Sequence, residues 1–206
     1  MINRRQFLYL AGAGAANLLN VNGWPFKRAA KASEEENNFA PDVELSLTAI
    51  PSEAQIFTGQ PTTVWQYKGQ VIKGDPNSLM HLDQSHLGPI IRVRRHQKVR
   101  IHFNNNLPAK SIIHWHGLHV PAQWDGGPHQ VIAPGEIWTP KFPINQQAAT
   151  LWYHPHAMGL TGAHVYQGLA GLFIIDDEIS ATLPIPKQYG VDDIPLIIQD
   201  RRFFED

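Results

Sequence analysis

An all-β sandwich or barrel is the fold this sequence predicts. Three observations predict it: short runs in which apolar and polar residues alternate with period two, Gly and Pro punctuation between those runs, and no long helical period. The chain has 206 residues, 43% of them hydrophobic, with 16 Gly and 16 Pro. That is enough for one well-cored domain and too little for three.

Taken in order, residues 1–32 read as an export signal. Asn3-Arg4-Arg5-Gln6-Phe7-Leu8 is a twin-arginine pattern, an apolar run follows from Leu8 to Leu19, and Ala30-Lys31-Ala32 offers a cleavage site after Ala32. The apolar run falls short of the ~20 residues of a membrane span, so export to the periplasm without an anchor is expected. Residues 33–41, with Glu34-Glu35-Glu36-Asn37-Asn38, should be a disordered lead-in. From Asp42 the strands begin. Val43, Leu45 and Leu47 alternate with Glu44, Ser46 and Thr48; Thr62–Tyr67 is β-branched and aromatic; Ile91 and Val93 alternate with Arg92 and Arg94; Val99, Ile101 and Phe103 alternate with Arg100, His102 and Asn104. Further strands are expected at 111–116, 137–142, 150–154 and 169–176, with a turn or so of helix within 159–167. An antiparallel arrangement accounts for this texture.

Charge and cysteine content narrow the function. The first 32 residues hold five basic groups and no acid, leaving 12 basic and 18 acidic residues beyond them, a net of −6. Nothing in that balance favours nucleic acid as a partner. The absence of cysteine excludes disulfides, Fe–S clusters, thiolate zinc sites, a cysteine nucleophile and a blue-copper centre within this chain.

The chemistry-bearing signal lies in two histidine pairs, His114-Trp115-His116-Gly117 and His154-Pro155-His156. On a strand, residues i and i+2 share a face, with Cα atoms roughly 6–7 Å apart. Each pair therefore aims two imidazoles one way, close enough to serve one metal cluster. Neutral imidazole suits copper, zinc, iron and nickel alike. Pro155 cannot donate to a sheet ladder, so the second pair should sit where its strand leaves the sheet. Of the other histidines, His102 lies on the polar face of its strand and should be solvated. His81, His86 and His96 are in loop-like context, and His119, His129 and His164 lack an i+2 partner and should be outer-sphere or surface residues.

These motifs, with Gln123-Trp124-Asp125-Gly126-Gly127-Pro128 between the pairs and Gly168-Leu169-Ala170-Gly171-Leu172 after them, resemble the N-terminal cupredoxin domain of multicopper oxidases. The nearest likeness is to bacterial periplasmic laccase-like enzymes that oxidise cuprous ion. The resemblance runs from about Pro41 to the C-terminus. It implies a cupredoxin-like Greek-key β-sandwich over 42–180, followed at 181–206 by a linker and the first strand of a second domain, Ile194–Phe203. It also implies half of a trinuclear copper site in which O2 is reduced to water while cuprous ion or a phenolic donor is oxidised. In that scheme His114 ligates the type 2 copper, His116 and His154 ligate one type 3 copper, and His156 the other. Asp125 corresponds to an acid that assists proton delivery. The remaining four cluster histidines and the type 1 cysteine belong in the family to a C-terminal domain with a His-Cys-His segment, which this sequence lacks. The chain therefore reads as an N-terminal third of such an oxidase, inactive alone. The rival reading is a non-catalytic periplasmic copper-binding module or a truncated gene product.

Overall fold

The computed structural model describes residues 39–83 and 85–203, so the expected signal peptide and most of the lead-in lie outside the described residues. From Pro41 onward the chain forms one compact unit. Two five-stranded sheets face each other. In the first, β1 (Val43–Ala54) lies between β2 (Thr62–Lys73) and β5 (Lys98–Asn105), and β7 (Ile137–Trp138) and β8 (Lys141–Pro143) both pair with the far side of β5. The second runs β3 (Leu79–Met80), β4 (Ile90–Arg94), β10 (Gly171–Asp176), β9 (Ala149–Pro155), β6 (Ile113–His116).

Alternation positions the core as expected. Val43, Leu45, Leu47 and Ala49 of β1 and Val99, Ile101 and Phe103 of β5 are fully buried. They meet Ile91, Ile113, Trp115, Tyr153 and Phe173 of the second sheet. Apolar burial of this kind contributes roughly 25 cal/mol per Å². Trp115 and Tyr153 carry polar atoms inward and both are satisfied: Trp115 Nε1 donates to Trp124 O at 3.0 Å, and Tyr153 Oη to Pro89 O at 2.7 Å. Gly171 makes room for Tyr153, since a Cβ there would lie 2.3 Å from the ring.

Three features differ from the sequence reading. The sandwich is mixed rather than antiparallel, because β1 pairs with β5 and β4 with β10 in parallel; both ladder types share period two, so alternation could not separate them. Strand β2 continues through Gly69, which sits opposite Leu47, where a Cβ would lie 2.7 Å from Leu47 Cδ2. Glu178–Thr182 forms a short helix, α2, whose five residues are too few to show a helical period in the sequence. Asp177 caps it, accepting from Ser180 N at 2.7 Å while its other oxygen accepts from Ala148 N at 2.9 Å. These backbone donors, Ser180 first, hold the Asp177 carboxyl below its ordinary pKa. The expected helix is present as α1 (Thr161–Gln167).

The segment expected to open a second domain joins no ladder of either sheet. Ile194, Leu196 and Ile198 are 69%, 81% and 87% exposed. Its end is fastened to the sandwich: Arg201 Nη2 lies 3.1 Å from His86 Nε2, Arg202 N donates to Tyr166 Oη at 3.0 Å, and Phe203 stacks on Phe57 with centroids 5.6 Å apart. No described helix is long and apolar enough to cross a membrane.

Candidate metal centre

Strands β6 and β9 are antiparallel, and their register sets His114 directly opposite His154. Trp115 and Tyr153, also paired, fill the core and are wholly buried, so alternation turns His114, His116 and His154 to the opposite, outer face of the same sheet. Pro155 is the last residue of β9, and His156 follows just beyond the ladder. The rings of His114 and His154 lie 5.4 Å apart between centroids, His114 and His116 5.6 Å, and His114 and His156 4.9 Å. All four sequence-predicted imidazoles thus gather at one corner.

Hydrogen bonds assign the free nitrogens. A carbonyl only accepts, so His154 Nδ1, 2.8 Å from Pro155 O, carries a proton and leaves Nε2 as a lone pair. By the same reasoning His114 Nδ1 donates to Asp125 O at 2.9 Å, and the Asp125 carboxylate stands 3.3 Å from that nitrogen. Second partners of this kind fix the ring and tautomer of metal-bound histidines. The loop that brings Asp125 there depends on Gly126: its φ is +70°, and a Cβ would fall 1.7 Å from Ile113 O. His116 Nδ1 faces His154 Nε2 at 3.1 Å.

The donor set fits a metal. One ligand atom from each of His114, His116 and His154 lies within 4.8 Å of the others, and His156 Nδ1 is buried without a hydrogen-bond partner. Burial, with the neighbouring imidazoles adding, pushes the His154 pKa down to about 4, so the ring is neutral and able to ligate at neutral pH. Asp125 stands at the site, with its carboxylate 36% exposed.

The remaining histidines divide. His81, His96, His119 and His129 are exposed. His102 is not simply solvated, because its Nε2 sits 2.8 Å from Glu44 Oε1 on the outer face of the first sheet. His164 is only 3% exposed, its ring 4.9 Å from that of Trp65, so of its two expected placements, outer-sphere or surface, the surface one does not hold. One further residue of the second histidine motif, to which the sequence assigns no role, stands at the site. Trp152, two residues before His154 and paired with His116, stacks on the His154 ring and lies tilted against that of His116. Its period-two spacing from His154 was the available signal.

A family model described as "Multicopper oxidase" matches residues 59–180. The chain belongs to the multicopper oxidase family. Solved multicopper oxidases share the fold: a laccase from Pediococcus acidilactici has a TM-score of 0.67 and 32% identity over 81% of this chain and 34% of its own. McoA multicopper oxidase from Aquifex aeolicus has a TM-score of 0.66 and 37% identity over 79% of this chain and 33% of its own. Among curated relatives, "Multicopper oxidase mco" of Staphylococcus aureus is 43% identical over 66% of this chain and 30% of its own length. "Cell division protein FtsP" of Escherichia coli is 35% identical over 98% of this chain and 40% of its own. This multicopper oxidase chain thus spans about 40% of the FtsP relatives it matches and about 30% of the mco relative.

Proposed function

We propose that this chain is the N-terminal copper-binding domain of a multicopper oxidase, exported by the twin-arginine route to the periplasm, and that it supplies half of a trinuclear copper site. His114 serves the type 2 ion, His116 and His154 one type 3 ion, and His156 the other. The observation that carries the reading is the 3.1 Å approach of His116 Nδ1 to His154 Nε2, two nitrogens set to share one ion. When bound, the coppers supply the electron transfer that reduces O2 to water at the expense of cuprous ion or a phenolic donor. The chain's own residues hold the ligand nitrogens in place. Pro155 and Asp125 keep the Nδ1 protons of His154 and His114, directing Nε2 of each outward. The Asp125 carboxylate, part exposed and within 3.3 Å of the His114 ring, is placed to relay protons between solvent and the cluster.

The remaining cluster ligands come from further cupredoxin domains, so the chain alone should bind copper without turning over. Phenol and cuprous oxidation assays on the copper-loaded chain test this. Steady turnover that a His154→Ala change abolishes would overturn the half-site reading. One observation favours a second reading, a copper-holding or structural role without a redox cycle: the relatives named for cell division match 98% of this chain. Mixing the chain with separately produced C-terminal domains of a multicopper oxidase separates the two, since only the first predicts a gain in O2 consumption.

A further inference from the structure

The ligand histidines are not held alike. His114 and His154 each have a backbone carbonyl on the nitrogen that faces away from the site. Such a partner is the usual device that orients a metal-bound imidazole. His116 has none: its one hydrogen-bond partner among the described residues is His154 itself, through the nitrogen placed to ligate. It is also exposed, so packing from solvent does not hold it. Its orientation must come from another contact.

Trp152 supplies that contact. It sits directly across the ladder from His116 and two residues before His154, so one indole stands on the same face as both rings. Its centroid is 4.1 Å from that of His154 and 5.1 Å from that of His116, each at an interplanar angle of 30°. Trp152 also lines a cavity of about 290 Å³ together with Thr150, Leu172 and, from the C-terminal segment, Leu196, Ile197 and Ile198.

We infer that Trp152 is a positioning residue of the metal site, setting the ring planes of His116 and His154 by stacking and taking, for His116, the place of the missing carbonyl. The inference rests on the proposed copper site for its purpose, but not for its test. A carbonyl fixes which nitrogen is protonated; a stacked indole fixes the plane and leaves both nitrogens free. That suits a histidine whose Nδ1 must face a second histidine across an ion.

Imidazole 1H–15N spectra of the metal-free chain at neutral pH test the orientation directly, for the parent, Trp152→Phe and Trp152→Leu. The His116 and His154 ring protons should be ring-current shifted in the parent, remain displaced in the Phe variant, and move to unstacked positions in the Leu variant, with His114 unchanged. Titration with cupric ion alone should then show about a tenfold loss of affinity for Trp152→Leu and recovery of most of it in Trp152→Phe. Parent-like imidazole signals in Trp152→Leu, or equal damage in both variants, would overturn the inference; should the Leu variant not fold, the Phe variant decides by whether its two histidines stay displaced. A parent chain that takes up no copper sinks the proposed function, while the metal-free spectra still judge Trp152.

Discussion

The two faces of the β6–β9 pair both carry aromatic rings with polar atoms and satisfy those atoms differently. Inward, Trp115 and Tyr153 spend their single polar atoms on Trp124 O and Pro89 O, and nothing is left over. Outward, His116 and His154 point ligand nitrogens at one another, and His156 Nδ1 is buried with no partner. A buried polar atom left unpaired costs about 1–3 kcal/mol. The inner pair is fully satisfied as folded protein, whereas the outer site keeps a buried imidazole nitrogen without a protein partner. One strand pair thus separates stability from binding by the parity of its residues.

That separation can be broken from either side. The largest effect should come from the inner face: Tyr153→Ala is expected to cost about 3–5 kcal/mol, read as a shifted denaturant midpoint, because it empties the core and orphans Pro89 O. Next is His154→Ala, which should abolish tight cupric binding in calorimetric titration while costing only about 1–2 kcal/mol of stability. If it unfolds the domain as Tyr153→Ala does, the two faces are not independent. Gly126→Ala should follow, because its Cβ would collide with Ile113 O and draw the Asp125 carbonyl from His114. Asp125→Asn keeps that carbonyl and should bind cupric ion nearly as the parent does; the pair of titrations tells backbone from carboxylate. The smallest effect lies far from the site. The hydrogen bond from His102, and then Arg100, holds the Glu44 carboxyl below its ordinary pKa, so its contribution is present above the unfolded value near 4.5 and is lost as pH falls below it. Glu44→Gln should remove that acid dependence, with less than about 1 kcal/mol lost at neutral pH.

Much of this was legible because period two is a strong signal. The alternation of Val43, Leu45 and Leu47 locates β1, and the same rule puts His114 and His116 on one face from the sequence alone. What alternation cannot carry is pairing. It did not distinguish the parallel β1–β5 ladder from an antiparallel one, nor reveal that β6 and β9 are neighbours in the register that sets Trp152 on His116. The partners of the histidines were equally hidden, because Pro155 O and Asp125 O are backbone atoms with no residue type to betray them. Ile194–Ile198 is strand-like in composition and joins neither sheet of the sandwich, as a segment read as the start of a second domain would. His164 shows the opposite failure: its lack of an i+2 partner said nothing of the Trp65 ring that buries it.

Copper stoichiometry with electron paramagnetic resonance on the purified chain and its His116→Ala/His154→Ala double variant decides whether this corner is half of a copper site. Bound cupric ion with nitrogen hyperfine structure in the parent, lost in the double variant, is the result the account predicts. No bound copper in the parent, or a nitrogen-ligated signal unchanged in the double variant, would contradict it.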